Sequence, residues 1–537
     1  MKKTIITLML LLPVLSAGAQ SKGYNLAKWV EIHSAILKEL NRSYVDSLPV
    51  DRMEKVGVDA MLSNLDPYTV YIPQEENEDL EMMINKTYGG MGAIIYKNGL
   101  QGDLFINEPY AGSPAAKCGL QCGDRILEID GVSVYGLDSK GCSDRMKGKP
   151  GTEVHLKVIK VRSNGEPVDI TVVRERIRIP DVQYYGMVND TTGYLLLSGF
   201  TEGVGSQVRK AVKEMQKDSG MKRFVLDLRG NGGGLLSEAV EIVSIFVPKG
   251  SLVVSSKGSE EGETRSYRTT SEPVDTQMPV IVLVDSGSAS ASEIVSGALQ
   301  DLDRATIMGG RTFGKGLVQS IRPLPYGGQL KVTTAKYYTP SGRCVQAIDY
   351  SHRNDDGSVG HIPDSLTHEF RTLHGRTVRD GGGVTPDVKL EFKDYSRLTY
   401  SVVLGGIVEQ YVLDYVGRHD SIPAVEDFHF TEYDDFVEFA KTKEFDYRST
   451  AVACFDQLKT ELGKDGLEES VSEELAALEK ALNMDKETVL RLKKDEIIPF
   501  IEEELAIRYY FQEAGVKVRL RYDEQLKKAL ESPLIEI

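Results

Sequence analysis

The chain has 537 residues, more than a single hydrophobic core usually organises, so about three or four domains are expected. Its formal net charge of −16 disfavours nucleic acid as a partner, because a polyanion would be repelled. Five cysteines are odd in number and too few for a disulfide scaffold, although a bridge from Cys118 or Cys122 to Cys142 stays open. The Cys118–Cys122 spacing has no matching second pair, which disfavours zinc, and we expect neither a metal nor another cofactor.

The first 19 residues have the pattern of a secretory signal that is cleaved. Two lysines precede an apolar run from Ile5 to Leu15, and Ala17-Gly18-Ala19 fits the small-x-small site of signal peptidase. The run is well short of the ~20 residues that span a bilayer, which disfavours a retained anchor. We therefore expect an exported protein, periplasmic in a bacterium with two membranes, that is soluble and has no membrane span after cleavage.

The pattern of apolar residues divides the mature chain into four regions. Residues 20–87 are expected to be helical because apolar side chains recur at helical spacing from 25 to 44, whereas residues 88–178 contain short strands separated by glycines. Residues 179–395 hold three near-continuously apolar strands, two of them followed by helices, which predicts an α/β core. Residues 396–537, rich in Glu, Lys, Leu and Ala, are expected to be helical and show no chemistry. The predicted fold class is multidomain α/β.

The β-rich region contains a glycine-rich turn that leads directly into an apolar strand, YGGMGAII. Successive backbone N–H groups in such a turn can receive a carboxylate, although most glycine-rich strand entries are only turns. The following INEPYAGSPAAKCGLQCGDRILEIDGVSV resembles the PDZ domain, whose Gly-Leu-Gly-Phe-like loop is matched by Gly90-Met91-Gly92-Ala93. The resemblance implies that Met91, Gly92 and Ala93 bind the terminal carboxylate of a peptide that adds to a sheet edge. The small Ala93 leaves the size preference of the pocket open.

Three alternating serines, Ser288, Ser290 and Ser292, lie between an apolar strand and a helix in VIVLVDSGSASASEIVSGALQD. A serine in such a turn is close to unsatisfied helix N–H groups, which can stabilise an oxyanion. Alternatively, the serines only cap the helix, since Ser290-x-x-Glu293 fits a capping box. The residues alone leave both interpretations open.

A histidine base for these serines is unsupported by the sequence. His352, His361, His368 and His374 lie in a polar stretch, and HEFRTLH lacks the spacing of the zinc metalloproteases. Lysine is the alternative base, provided that burial lowers its pKa from ~10.4 toward neutrality. Lys315 is a candidate because it lies between two glycines in RTFGKGLVQ, although a lone lysine in a turn is usually solvated.

Several motifs together resemble one family. SASASEI, GALQD, RTFGKGLVQ, YYTPSGRCVQ, DLRGNGGG and GGGVTPDV are similar to those of the carboxyl-terminal processing proteases, the tail-specific serine proteases of peptidase family S41 with a PDZ domain. The resemblance covers about residues 60 to 395. It implies an α/β protease core related to crotonase and Clp proteases, with an inserted PDZ domain and helical N- and C-terminal regions.

The resemblance also implies a role for each site residue. In the family the middle serine of SASAS is the nucleophile and the lysine of FGKG is the base, which here are Ser290 and Lys315. Gln319, four residues after the lysine, would orient it by a hydrogen bond. The backbone N–H groups of Gly230 and Ala291 would form the oxyanion hole. The implied reaction is hydrolysis of peptide bonds in proteins that the PDZ domain recognises by their C-terminal tails.

A catalytically silent PDZ scaffold or chaperone is the rival interpretation, from another functional class. The joint presence of Ser290, Lys315 and Gln319 favours the protease. A zinc hydrolase, a third interpretation, lacks a set of ligands. The expected partners are protein or peptide substrates with free C-terminal tails. An adaptor protein, a homo-oligomer, and whether the PDZ domain activates or inhibits are left open.

Overall fold

The computed structural model describes residues 2–97, 99–259, 264–354, 358–392, 394–446 and 449–534. The chain separates into two compact units, Met1–Tyr71 and Ile72–Ile537. The first unit contains α1 (Lys2–Ser43) and α2 (Val50–Ser63), and the short strand β1 (Val70–Ile72) lies at the boundary. The helix predicted from 25 to 44 is confirmed, but it already begins at Lys2. Cleavage of the first 19 residues stays a prediction.

A β-rich module follows, as predicted. After α3 (Asn77–Asn85) its elements are β2 (Thr87–Gly90), β3 (Ala93–Lys97), β4 (Leu104–Pro109), α4 (Pro114–Lys117), β5 (Arg125–Ile129), β6 (Val132–Ser133), α5 (Ser139–Met146), β7 (Glu153–Ile159), β8 (Pro167–Val173) and β9 (Glu175–Arg178). The main sheet has the order β3-β4-β5-β7-β8, and β6 pairs with β5. Strands β2 and β9 pair with each other where the chain enters and leaves the module. Cys118, Cys122 and Cys142 are free thiols in this module.

The next region contains the α/β core. Its elements are β10 (Val182–Asn189), β11 (Thr192–Leu197), α6 (Val204–Ser219), β12 (Arg223–Asp227), α7 (Leu236–Val243), β13 (Leu252–Lys257), β14 (Thr264–Arg268), β15 (Val280–Val284), α8 (Ala291–Asp301), β16 (Thr306–Gly309), β17 (Leu317–Pro323), β18 (Gln329–Tyr338), β19 (Ile348–Arg353), β20 (Val359–His361), β21 (Glu369–Arg371), β22 (Thr377–Arg379) and β23 (Val388–Lys389). The central sheet has the order β10-β11-β12-β15-β16-β23 and is parallel except for the antiparallel pair β10–β11.

Both faces of the central sheet are covered, which explains why its strands are apolar without interruption. In β15, Val280 and Val282 pack with residues of α6, α7 and α8, whereas Ile281 and Leu283 pack on the opposite face. A second, antiparallel sheet, in which β13 lies between β14 and β18 and β17 pairs with β18, packs against α8 through β13. Helix α8 is consequently buried along its whole length.

The C-terminal region is helical, as predicted, and consists of α9 (Arg397–Leu404), α10 (Ile407–Arg418), α11 (Tyr433–Lys441), α12 (Thr450–Lys464), α13 (Ser472–Leu482), α14 (Lys486–Leu492), α15 (Lys494–Tyr522) and α16 (Glu524–Glu531). Most of these helices share a core of their own around Tyr411 and Phe436. The last helix leaves that core, because Leu526 and Ala529 of α16 pack on the second face of the central sheet. Helix α16 therefore covers part of the second face of the central sheet.

Candidate active site

Two loops meet at the carboxyl edge of the central sheet. Residues 228–234 follow β12, and residues 285–290 follow its parallel neighbour β15. The carboxyl ends of adjacent parallel strands lie at one edge of a sheet, where ligand and catalytic sites of α/β proteins are usually found. We call these segments the glycine loop (228–234) and the serine turn (285–290). The structure thus brings DLRGNGGG and SASAS together.

Ser290 is the last residue of the serine turn and precedes α8. Its backbone has φ 56° and ψ −111°, a left-handed conformation that is strained for a residue other than glycine, and the residue is half-buried. A strained serine between a strand and a helix is also found in the nucleophile turns of α/β hydrolases, so this backbone is compatible with the role predicted for Ser290. Ala291, the first residue of α8, follows it directly and contributes one of the N–H groups that a helix cannot satisfy internally.

The two neighbouring serines are fully buried and fix the serine turn to the glycine loop. The Ser288 hydroxyl donates to the carbonyl oxygen of Leu228 at 2.7 Å. The Ser292 hydroxyl donates to the carbonyl oxygen of Asn231 at 2.8 Å. Ser290 differs from both because it is only half-buried.

Glu293 connects the backbones of the predicted nucleophile and base. Its Oε2 accepts from the N–H of Ser290 at 2.9 Å and from the N–H of Lys315 at 2.8 Å. Its Oε1 accepts from the Thr312 hydroxyl at 2.6 Å and from the Gly314 N–H at 2.7 Å. Burial raises the pKa of the Glu293 carboxyl, against these four hydrogen bonds, which lower it. The capping box considered from the sequence is present, and the Glu293 carboxylate also binds the loop of Lys315.

Tyr337 connects the same two segments from their carbonyl side. This residue of β18 is fully buried, and its hydroxyl lies 3.1 Å from the Ser290 carbonyl oxygen and 2.5 Å from the Lys315 carbonyl oxygen. Tyr337 could not be predicted from the sequence, because nothing in a tyrosine-rich strand indicates which hydroxyl contacts a turn 47 positions away. The YYTPSGRCVQ motif, which contains Tyr337, is the signal in the sequence that could have indicated this residue.

Lys315 and Gln319 lie at the start of the β17–β18 hairpin. Lys315 is half-buried two residues before β17. Gln319 in β17 is half-buried, and its Nε2 donates to the hydroxyl of Thr333 on β18 at 3.3 Å. The side chain of Gln319 is therefore fixed across the hairpin, and its orienting contact with Lys315 stays a prediction.

The glycine loop touches Ser290 through a residue other than the predicted one. The Gly230 N–H, expected in the oxyanion hole, donates to Oδ1 of Asp285 at 2.8 Å in this structure. Gly233, with φ 97°, lies so close to the serine turn that a Cβ added there would stand 2.8 Å from both the Ala291 nitrogen and the Ser290 Cβ. The loop therefore approaches the turn most closely at Gly233, and the oxyanion role of Gly230 and Ala291 stays a prediction.

The predicted peptide loop lies at the start of β3. Met91 is buried in the core of the module, Gly92 has φ 73°, and Ala93 is the first residue of β3. The carbonyl groups of Met91 and Gly92 accept hydrogen bonds from Ala115 and Tyr110 of the same module. Strand β3 ends the β3-β4-β5-β7-β8 sheet, and α5 packs beside it. A terminal strand next to a helix is the geometry at which a peptide can add as a further strand.

Across the described parts of the chain, no three or more His, Cys, Asp or Glu side chains are grouped so that they could hold a metal ion. The side chains of His352, His368 and His374 are exposed and lie beside aspartates.

The central sheet with its serine turn, joined to a module in which β3 is a terminal strand, agrees with the class of peptidases that carry a PDZ domain. Family models agree: peptidase family S41 matches residues 191–351, a PDZ domain matches residues 105–160, and the C-terminal helical domain of a probable PDZ-protease matches residues 398–532.

Two relatives found by sequence support the same family. The chain is 37% identical over 317 residues to a carboxy-terminal-processing protease of Bartonella bacilliformis, covering 58% of this chain and 71% of that protein. It is 34% identical over 311 residues to a probable CtpA-like serine protease of Staphylococcus aureus, covering 58% and 61%. Among solved structures, the photosystem II D1 C-terminal processing protease is 28% identical with a TM-score of 0.36, covering 66% of this chain and 86% of that one. The chain belongs to the carboxy-terminal-processing proteases of peptidase family S41.

Proposed function

We propose that this protein is a serine endopeptidase in which Ser290 is the nucleophile and Lys315 is the general base. The observation that carries the proposal is the shared carboxylate of Glu293, which accepts from the backbone N–H groups of both residues. Two residues 25 positions apart in sequence are thereby held in one small region at the edge of the central sheet. The strained backbone of Ser290 supports the same assignment.

The chemistry follows from these positions. The neutral amine of Lys315 removes the proton of the Ser290 hydroxyl as the serine oxygen attacks the peptide carbonyl carbon. The N–H groups of Ala291 and the glycine loop stabilise the negative charge that develops on the carbonyl oxygen. The lysine then returns the proton to the leaving amine, and water hydrolyses the acyl-enzyme with the lysine again acting as base.

Substrate choice is assigned to the PDZ domain in this proposal. A free C-terminal tail adds as a strand to the open edge of β3, and the N–H groups of Met91, Gly92 and Ala93 receive its carboxylate. The position of the loop at the start of a terminal strand supports this mode of binding. The N-terminal pattern supports export to the periplasm. In the described part of the chain, none of the helices combines the length and apolar character needed to cross a membrane.

The decisive experiment compares the wild-type chain with Ser290→Ala and Lys315→Arg on an unfolded reporter protein with a free C-terminus. We expect both variants to fold and to be inactive, since alanine lacks the nucleophile and a guanidinium stays protonated at any workable pH. Full activity of Ser290→Ala would contradict the proposed nucleophile, and an active Lys315→Arg would contradict the base. Tail binding without cleavage by the wild-type chain would favour the peptide-binding scaffold instead.

A further inference from the structure

Arg229, the second residue of the glycine loop, is held by a buried carboxylate of the core. Its Nε lies 3.0 Å from both carboxylate oxygens of Asp227, and its backbone N–H donates to Asp227 Oδ1 at 3.0 Å. Asp227 is 2% exposed at the end of β12 and also accepts from the Tyr194 hydroxyl at 2.7 Å. These contacts fix one side of the guanidinium to the central sheet.

The other side of the same guanidinium is held by the C-terminal helical region. Nη2 and Nη1 of Arg229 donate to the two carboxylate oxygens of Asp523, and Nη1 also donates to Oε1 of Gln525 at 2.9 Å. Asp523 is the N-cap residue of α16, where its Oδ1 also accepts from the Leu526 N–H at 2.8 Å. Asp523 is only 10% exposed, so its charge is poorly screened and acts mainly on Arg229.

The position of Arg229 gives this contact a functional consequence. Two other residues of the glycine loop accept hydrogen bonds through their carbonyl oxygens, Leu228 from the Ser288 hydroxyl and Asn231 from the Ser292 hydroxyl. These two serines lie on either side of the predicted nucleophile. Within the described residues Arg229 makes no hydrogen bond of this kind with the serine turn, and its side chain binds the carboxylates of Asp227 and Asp523 instead. A change in the guanidinium position would therefore move the loop on which the serine turn rests.

We propose that the C-terminal helical region is part of the protease centre, in which Asp523, with Gln525, acts as a positioning residue that holds Arg229 and thereby the glycine loop against Ser290. The proposal rests on the proposed function, because it concerns the same reaction. It also gives a physical reason why α16 leaves the C-terminal helical core and packs on the central sheet: the helix N-terminus brings a carboxylate to the edge that carries the catalytic loops.

Asp523→Asn in the full-length protein tests the proposal. Asparagine is as good an N-cap as aspartate, so α16 keeps its first hydrogen bond, whereas the charge facing Arg229 is lost. Asp485→Asn is the matched control, because Asp485 caps α14 in the same way, accepting from the Thr488 N–H at 2.9 Å, but is exposed. The substrate is a short fluorogenic peptide, which needs no recruitment by a tail. The concentration of active sites in the wild type and in each variant is determined by end-point titration with a fluorophosphonate.

We expect kcat per titrated site to fall about tenfold in Asp523→Asn, the effect of one charged hydrogen bond, with KM and melting temperature close to those of Asp485→Asn. Gln525→Met removes the acceptor of Arg229 Nη1 together with the two 3.4 Å contacts of Nε2 to the carbonyl oxygens of Leu390 and Glu391, but keeps the charge of Asp523, so it should give a smaller loss in the same direction. If kcat per titrated site is unchanged in Asp523→Asn, the positioning role is overturned, whether all of its active sites react with the fluorophosphonate or only some of them. Persistent activity of Ser290→Ala in the same assay would instead overturn the proposed function, so the two failures are distinguishable.

Discussion

The hydroxyl of Tyr337 lies 2.5 Å from the backbone carbonyl oxygen of Lys315. The same hydroxyl is 3.1 Å from the carbonyl oxygen of Ser290. Glu293 contacts the N–H groups of these two residues, so both polar backbone groups of the predicted nucleophile and base have a partner from a buried side chain. The relative position of Ser290 and Lys315 is consequently set by residues that take no part in the proposed chemistry.

Tyr337→Phe should lower kcat about fivefold to tenfold and leave KM unchanged, because one hydrogen bond worth about 1 kcal/mol is lost while the ring still fills its site. Steady-state kinetics on a short peptide measure the effect. Tyr338→Phe is the control, since it removes the hydroxyl of the next residue on β18. Equal kinetic constants for wild type and Tyr337→Phe would show that the hydroxyl does not position the lysine.

The glycine loop offers a prediction with an internal control one residue away. At Gly233 the backbone has φ 97°, and a Cβ would lie 2.6 Å from the carbonyl oxygen of Ala289. Gly232→Ala would add its methyl group where no heavy atom lies within 4 Å. We expect Gly233→Ala to lose activity by at least about 100-fold, the scale of losing one oxyanion donor, and Gly232→Ala to stay active. Similar activity in both variants would contradict the close approach of the loop to the serine turn.

Substitution of Ser288, Ser290 and Ser292 should distinguish the serines that contribute to stability from the serine that is needed for catalysis. Ser288→Ala and Ser292→Ala each remove a buried hydroxyl that donates to a carbonyl oxygen of the glycine loop, so each should lower the free energy of unfolding by about 1 kcal/mol while retaining part of the activity. Ser290→Ala should have the opposite profile, with the melting temperature kept and the activity lost. Thermal unfolding and peptide cleavage, measured on all three variants, give the comparison. A large loss of stability in Ser290→Ala alone would reverse the assignment.

The elements of the core were predictable because their sequences are dominated by local pattern. The three apolar runs form β11, β12 and β15. A helix begins directly after Ser290, as the alternation of serines before EIVSGAL indicated. The antiparallel hairpin β17–β18 was not identified, because its strands are half-exposed and lack a continuous apolar run. The PYGG sequence between the strands was the signal that could have indicated a turn.

The partners of the site residues could not be predicted, since they depend on contacts between distant segments. Arg229 and Asp523 are 294 positions apart, and the C-terminal region has a composition that indicates only helices. The sequence showed no chemistry there, whereas the structure places its last helix beside the glycine loop. Glu293 was visible only as a capping residue, because the approach of Lys315 to the same carboxylate requires the folded hairpin.

We expect the stability of the folded protein to depend on pH through the carboxyl group of Glu409. Burial raises its pKa to about 7, with Arg508 lowering it and Glu504 raising it, and Tyr96 of the PDZ domain also faces it. The pKa of Glu409 in the folded state exceeds the unfolded value of ~4.3. The contribution of this group to stability is therefore complete below pH ~4.3 and is lost as the pH rises through about 7. Glu409→Gln should therefore be more stable than wild type at pH 8, with a smaller difference at pH 5.

Melting temperatures between pH 5 and 8 measure this difference, and Glu426→Gln is the control because Glu426 is exposed. Arg508 is fully buried and lies 3.4 Å from Glu409, so the uncharged glutamine keeps an acceptor oxygen near the guanidinium. Parallel pH profiles for wild type and Glu409→Gln would contradict protonation of Glu409 in this range.

The tail-binding loop can be tested without removing the PDZ domain. A substrate with an amidated C-terminus lacks the charge that the N–H groups of Met91, Gly92 and Ala93 are proposed to receive, so the wild-type chain should cleave it more slowly than the free acid at low concentration. Gly92→Ala should abolish the difference, because φ is 73° there and a Cβ would lie 2.6 Å from the Cβ of Ser113. Gly99→Ala is the matched control, with φ 69° but open space around the new methyl group.

The three enzymes should cleave a short tailless peptide at similar rates if the loop only recruits tails, whereas a deficit in turnover would indicate that tail binding also opens the protease site. The kinetic constants for free-acid and amidated substrates separate these effects, since recruitment changes KM and opening changes kcat. Equal cleavage of the two substrates by the wild-type chain would show that the loop does not recognise the carboxylate. Loss of discrimination in Gly99→Ala as well would assign the effect to strain in the module rather than to the loop.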